Sequence, residues 1–109
     1  IFRGTLDVRA STITDEMAIV ASETLASLVA EKGLSPDHLL PTMEEWEIFP
    51  RMAAAVAMKA QEQGVARRAT TYDQEFQHAS EMIRSARAMT EMLMREGFIP
   101  PAPPAEDEV

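Results

Sequence analysis

Three glycines divide the chain into helical segments. Gly33, Gly64 and Gly97 each end an amphipathic pattern, and each is followed by an apolar residue. Glycine adopts the left-handed conformation that the residue after a helix often requires, and the next apolar side chain then covers the last turn. The pattern predicts three helices that end in Schellman motifs. The segments between the glycines differ in sequence, so their spacings of 31 and 33 residues do not indicate a structural repeat.

The first helix is predicted to begin at Thr14 and to end before Gly33. A threonine is a favoured N-cap residue, and Asp15 and Glu16 suit the positive end of the helix dipole. Lys32 suits the negative end. Apolar or small residues then recur at helical spacing and predict one buried face, made of Met17, Val20, Ala21, Thr24, Leu25, Leu28 and Val29.

The second helix is predicted over "PRMAAAVAMKAQEQ", residues 50–63, with Pro50 at its start, where a missing amide costs nothing. A short helical turn, "EEWEIF", is predicted before it. Many residues of the second helix are alanines, which allow neighbouring backbones to approach closely. We therefore expect this helix to be buried on more than one side.

The third helix is predicted to start at Thr71, which forms a capping-box pattern with Gln74. A narrow stripe follows a heptad rhythm along this helix and consists of Tyr72, Phe76, Ala79, Ile83, Ala86, Thr90 and Leu93. Such a stripe is expected to dock on a domain surface or to pair with another helix.

The composition supports an all-α fold of three main helices plus short helical segments. Eight methionines, many alanines and only six aromatic residues favour helix over sheet. The net charge of −8 argues against nucleic-acid binding, and no apolar run approaches the ~20 residues of a membrane span. The chain has no cysteine, which fits the cytoplasmic location that we expect.

The residue types that carry chemistry are scattered, and we predict no catalytic, cofactor-binding or metal-binding residue. His38 and His78 lie in different elements, and His78 is expected on the polar side of its helix. Arg67 and Arg68 follow a helix C-terminus, where cations are favourable for structural reasons, although they could also bind a phosphate.

Two further groups of polar residues were candidates. Glu44, Glu45 and Glu47 could bind a cation, but acidic residues at a helix start usually match the helix dipole. Ser35 and Ser80 have no base placed near them by the sequence. Neither group predicts a site.

Three stretches of the chain resemble malic enzymes of the bacterial type. They are "IFRGTLDVRASTITDEMAIVASETLA", "LLPTMEEWEIFPRMAAAVAMKA" and "GVARR", and the resemblance extends over residues 1 to about 68. The resemblance implies that residues 1–70 are the C-terminal helical part of an NAD(P)-binding domain. In the parent enzyme these helices would close a Rossmann-type α/β domain. The residue pattern itself predicts a long C-terminal amphipathic helix over residues 71–97, and the prolines and acids of residues 98–109 predict a flexible tail.

The resemblance also implies an activity for the parent protein. Malic enzymes oxidise and decarboxylate malate to pyruvate with NAD or NADP and a divalent metal, Mg²⁺ or Mn²⁺. The family's catalytic and ligand-binding residues lie before "IFRG", so none is carried over to this chain. Ile1, Phe2, Arg3 and Gly4 would be the residues nearest to the chemistry, and Phe2 is expected to have a packing role.

Two hypotheses follow. In the first, the chain is a C-terminal structural fragment of a malic enzyme, inactive by itself, whose partners are the remainder of that enzyme and a second copy in a homo-oligomer. In the second, it is an independent all-helical module that binds another protein through its apolar stripes. The upstream reading frame distinguishes them.

Overall fold

The computed structural model describes residues 1–104, and these contain four helices. They are α1 (Phe2–Asp7), α2 (Asp15–Lys32), α3 (Ile48–Glu62) and α4 (Tyr72–Arg95). Between residues 1 and 104 there is no strand, only an isolated bridge between Ser35 and His38. The predicted all-α fold with three main helices is confirmed, and α1 is a short additional helix.

The start of α2 lies where the sequence predicts it. The Thr14 hydroxyl accepts a hydrogen bond from the Met17 N–H at 3.1 Å, and the Met17 sulfur accepts one from the Thr14 N–H at 3.5 Å. Methionine thus takes the place that glutamate has in the usual capping box. The same side chain is fully buried, so it both caps the helix and fills the core.

Two of the three predicted Schellman motifs are confirmed. After α3, the Gly64 N–H donates to the Gln61 carbonyl and the Val65 N–H donates to the Ala60 carbonyl, both at 3.0 Å. The same pair of bonds follows α4 at Gly97. Gly64 and Gly97 have φ values of 71° and 79°, in the left-handed region that this motif requires.

The prediction of a Schellman motif at Gly33 is wrong. Gly33 has φ 97° and ψ 112°, so the chain leaves α2 in an extended direction instead of turning back over the last turn. Only its own N–H bonds back into the helix, to Ala30. The covering apolar side chain is also missing there, because Leu34 is 66% exposed. At Gly97 the backbone motif forms, but Phe98 is likewise exposed.

A third Schellman motif ends α1 without glycine. The Arg9 N–H donates to Leu6 and the Ala10 N–H donates to Thr5, at 3.0 and 2.9 Å. Arg9 takes the left-handed position with φ 51°. A left-handed conformation is unfavourable for a residue with a β-carbon. Because this position holds arginine and not glycine, the sequence did not predict the motif at this helix end.

The central helix is α3, which packs against α1, α2 and α4. Its expected burial on several sides is confirmed, and its buried side chains are small or apolar. It begins at Ile48, two residues before the predicted start, and residues 43–47 form turns instead of a separate helical segment. Pro50 is therefore the third helical residue, still within the first turn, where its missing N–H leaves no helical bond unmade.

The core lies mainly between α2, α3 and the end of α1. Its fully buried members are Val8, Met17, Ala21, Val56, Ala57 and Ala60. The approach of α1 to α3 is especially close at Gly4, where an added β-carbon would lie 2.3 Å from the Ala53 carbonyl oxygen. The "IFRG" segment thus packs directly on the central helix.

Only the first half of α4 is packed in the way that the heptad stripe predicts. Thr71 and Gln74 form the predicted capping box, and Ala79 is fully buried. Beyond residue 83 the helix extends from the body, and only Arg87 remains half-buried within it. The exposed apolar residues of this second half, here called the α4 tip, are Met89, Met92, Leu93 and Met94.

Residues 100–104 have no regular secondary structure and are exposed. They form the described part of the tail predicted over residues 98–109, and residues 105–109 lie outside the described part of the chain. The flexibility of the tail stays a prediction. None of the helices within residues 1–104 has the combination of length and apolar character needed to cross a membrane.

Candidate functional site

Two of the motifs that carry the family resemblance lie side by side. The Val8 carbonyl, in "LDVRA", accepts hydrogen bonds from the N–H groups of Arg67 and Arg68, in "GVARR", at 2.9 and 3.0 Å. The Ser11 N–H donates to the Val65 carbonyl at 2.9 Å. These backbone bonds join the end of α1 to the connector between α3 and α4, so segments more than fifty residues apart hold one another in place.

A group of charged side chains, here called the polar junction, lies where α1 meets the start of α4. Its members are Arg3 and Asp7 from α1, Arg68 from the connector, and Glu75 and His78 from α4. The Arg3 guanidinium donates to both carboxylate oxygens of Asp7, with Nε to Oδ2 at 2.7 Å. Arg3 and Asp7 are four residues apart on one helix, a spacing that brings such side chains together.

The polar junction borders an open cavity of about 280 Å³. The lining includes Asp7, Arg68, Gln74, Glu75 and His78. The His78 Nε2 atom is 3.7 Å from Asp7 Oδ1, and the His78 side chain is half-exposed. The cavity therefore has solvent access on the His78 side and buried carboxyl groups on the other.

The two carboxyl groups of the junction differ in their protonation. Burial raises the pKa of Glu75 to about 7, with further contributions from a hydrogen bond to Asp7 and from the charge of Asp7. Burial also acts to raise the pKa of Asp7, but hydrogen bonds from Arg3 and Glu75, with the charge of Arg3, lower it. When two carboxyl groups lie side by side, one pKa is commonly raised above the other, because two adjacent negative charges repel one another. The junction can therefore hold a proton on Glu75 beside the ionised Asp7.

The polar junction is the feature that the sequence did not predict. His78 was expected to be solvated on the polar side of its helix; its side chain is half-exposed, and its Nε2 atom also lies 3.7 Å from Asp7 Oδ1. Glu75 is 3% exposed although it belongs to a polar sequence segment. The one available signal was the Arg3–Asp7 spacing, which indicates an ion pair but not the helix that covers it.

His38 lies far from this group in the sequence and in a different element. It borders a cavity of about 80 Å³ beside the end of α2, together with Lys32, Glu45 and Arg51. Residues 1–104 contain no grouping of three or more histidine, aspartate or glutamate residues that could hold a metal ion.

The three glutamates before α3 take different partners. Glu45 accepts from the Thr42 N–H at 2.7 Å and from the Lys32 ammonium at 2.6 Å, and chiefly the hydrogen bond from Lys32 lowers its pKa to about 2. Glu44 lies 3.4 Å from Arg87, and Glu47 occupies the N-cap position of α3. These separate contacts do not build a shared cation site.

The remaining candidates have structural surroundings. Arg68 lines the cavity of the polar junction together with Asp7 and Glu75. The Ser80 hydroxyl donates to the Phe76 carbonyl at 2.7 Å within α4. The expected packing role of Phe2 is not seen in this chain, because Phe2 is 73% exposed.

Sequence comparison finds malic enzymes that are similar to this chain. It is 52% identical to the bifunctional malic/malolactic enzyme of Bacillus subtilis over 67 residues, which are 62% of this chain and 16% of that protein. It is 39% identical to an NADP-dependent malic enzyme of Rhizobium meliloti over 82 residues, 11% of that protein. The chain thus spans less than a fifth of the length of these relatives. No family model matches the chain.

Structural comparison leads to the same family. The malic enzyme of Entamoeba histolytica matches with a TM-score of 0.89 and 42% identity over 94% of this chain and 21% of that chain. The malic enzyme of Pyrococcus horikoshii matches with a TM-score of 0.77 and 35% identity over 87% and 22%. Helix α4 makes up 24 of the 109 residues. Because the match covers 94% of the chain, it must include most of α4. In sequence and in fold, this chain matches a segment of the malic enzyme family.

Proposed function

We propose that the chain is a structural segment of a malic enzyme that oxidatively decarboxylates malate to pyruvate with NAD or NADP. The observation that carries this proposal is the fold match to the Entamoeba histolytica malic enzyme at 42% identity. The chain covers only about a fifth of that protein, so the proposed contribution of these helices is to support the larger enzyme. The alternative of an independent interaction module is not favoured, since the relatives are malic enzymes.

The described residues do not fit a site for the metal or the dinucleotide. Residues 1–104 offer no cluster of metal-ligating side chains, and the four glycines of the chain are scattered instead of forming a phosphate-binding turn. We therefore propose that Mg²⁺ or Mn²⁺ and NAD or NADP bind to other parts of the enzyme. The part that we assign to this chain is to fix "IFRG" on α3 through Gly4 and through the hydrogen bonds at Val8.

The test compares two proteins. We expect the 109-residue chain alone to give no reduction of NAD or NADP with malate and Mn²⁺, because it lacks the groups that the reaction requires. A longer product of the same gene that contains this chain should show the reduction, and a metal chelator should abolish it. Activity of the short chain, or inactivity of the longer product with either cofactor, would contradict the proposal.

We also propose a cytoplasmic location, in line with the absence of cysteine from the sequence.

We further propose that a second copy of the chain covers the α4 tip. The tip exposes four apolar side chains, each between 41% and 55% exposed, on a helix that extends beyond the body. It also carries charges of both signs, Arg84, Arg87 and Arg95 beside Glu91 and Glu96. Two such helices running antiparallel bring opposite charges together in a two-fold contact.

We expect the 109-residue chain to sediment as a dimer at micromolar concentration. Leu93→Glu should shift it towards monomer, because the added charge would lose its water in the contact between two α4 tips. Ile19→Glu is the matched control, since Ile19 is 56% exposed and belongs to α2, which is not among the helices of residues 1–104 that pack against α4. A monomeric wild type, or equal dissociation of both variants, would show that α4 is not the contact.

A further inference from the structure

The two carboxyl groups of the polar junction differ in their partners. Asp7 is paired with Arg3 through two hydrogen bonds. Glu75 is buried, and its Oε1 atom has no hydrogen-bond partner among residues 1–104. A buried ionised carboxylate with an unpaired oxygen is strongly disfavoured, whereas a protonated carboxyl group tolerates this position more easily. The geometry thus favours a proton on Glu75.

All elements packed around Glu75 affect this balance. From α1 come Asp7, which favours the protonated form, and Arg3, which opposes it; Arg68 from the connector also opposes it. On α4 the neighbouring titratable group is His78, which faces Asp7. The buried side chains of α3 are apolar and add no charge. The pKa of Glu75 is raised because burial and Asp7 raise it by more than the two arginines lower it.

We propose that the proton held between Glu75 and Asp7 is a pH-sensitive latch that fastens the start of α4 to α1. This inference is independent of the proposed catalytic function, because it concerns only contacts within the chain. When Glu75 is protonated it donates to Asp7, and the two helices share a hydrogen bond. When Glu75 loses the proton, two adjacent carboxylates face one another in a buried position, so the contact between the start of α4 and α1 is weakened.

The sign of the pH dependence follows from the two states of Glu75. In the opened state its pKa returns to the ordinary value of 4.5, and in the docked state it is about 7. Docking is therefore strongest below pH 4.5 as far as Glu75 is concerned, and it weakens as the pH rises from 4.5 to 7. The pKa of Asp7 is lowered in the fold, so Asp7 acts at a lower pH than Glu75. Its ionised form stabilises the fold above the ordinary pKa of 3.8, and this contribution is lost as the pH falls below that value.

Native-state hydrogen exchange on the full 109-residue chain tests the latch. For the amides of residues 79–83, the opening equilibrium constant, corrected for intrinsic exchange, should increase by up to about tenfold per pH unit between pH 5 and 7. Glu75→Gln should remove this dependence, because the amide cannot lose a proton. Glu91→Gln, an exposed change on the same helix, should keep it.

His78 requires its own control, because histidine side chains generally change charge in the same pH range. His78→Gln should retain most of the pH dependence that Glu75→Gln removes. The reverse outcome would assign the effect to His78 and overturn the proposal. A carbon-detected NMR titration gives a second reading: a Glu75 midpoint near its ordinary value of 4.5 would also overturn it.

Discussion

Gly4→Ala should destabilise the chain by about 3 kcal/mol or more, at the upper end of the cost of overpacking. Within an isolated helix the same change would be favourable by up to about 1 kcal/mol. Here the new β-carbon would lie 2.3 Å from the Ala53 carbonyl oxygen and 3.1 Å from the Val56 β-carbon. The first of these atoms belongs to the backbone of α3 and cannot rotate away, so α1 must move. Urea denaturation followed by circular dichroism measures the loss.

Gly97→Ala is the matched control for that change. Gly97 has no atom within 4 Å of an added β-carbon, and its only constraint is φ 79°. It should therefore cost no more than the ~1–2 kcal/mol of a left-handed alanine. If both substitutions cost the same, α1 does not approach α3 as closely as the fold indicates.

Met17→Ala should cost about 2–5 kcal/mol, the range for removing a large buried side chain. Met17 is fully buried among the core residues, and its sulfur also accepts the Thr14 N–H. The substitution opens a cavity and leaves one cap donor unpaired. The denaturation midpoint in urea should fall without a change in slope, since the unfolded state is not altered.

Two controls separate the core effect from a general effect of methionine. Met43→Ala should change stability by no more than about 0.5 kcal/mol, because the side chain is 77% exposed and exposed positions contribute little. Met17→Leu keeps the volume and should cost less than about 1.5 kcal/mol. A large loss for Met43→Ala would mean that this loop packs in a way the fold does not show.

Local signals predicted the helices well. Thr14 and Thr71 cap α2 and α4 as expected, because hydroxyl side chains satisfy free amides at the residue where the helix begins. Gly64 and Gly97 end α3 and α4 in the predicted motif. Each of these features depends on a few neighbouring residues, so the sequence carries the information directly.

The features that the sequence did not predict correctly depend on the rest of the fold. Gly33 supplies a positive φ, but the direction of the chain after α2 decides whether a Schellman motif forms. Arg9 adopts a left-handed conformation where no local preference favours it, while the Val8 carbonyl beside it binds the connector before α4. The exposure of Phe2 was likewise not readable from its apolar side chain.

The polar junction could not be predicted for the same reason. Glu75 borders the predicted apolar stripe of α4, four residues before Ala79, and it is buried where α4 packs on the other helices. Sequence spacing gave the Arg3–Asp7 pair, since both residues belong to one helix. The partners that come from another helix required the tertiary structure.

Beyond residue 83, α4 contacts the rest of the chain through Arg84 and Arg87, so a small tilt at its base would give a larger displacement at its end. From Ala79, the last fully buried residue, to Arg95 the helix is ~24 Å long at 1.5 Å per residue. A tilt of about 5° about Ala79 would move the far end by ~2 Å over that helical length. The Arg84 guanidinium lies 5.9 Å above the Trp46 ring, close to the pivot. The fluorescence of Trp46, the single tryptophan of the chain, should therefore report on such a tilt of α4.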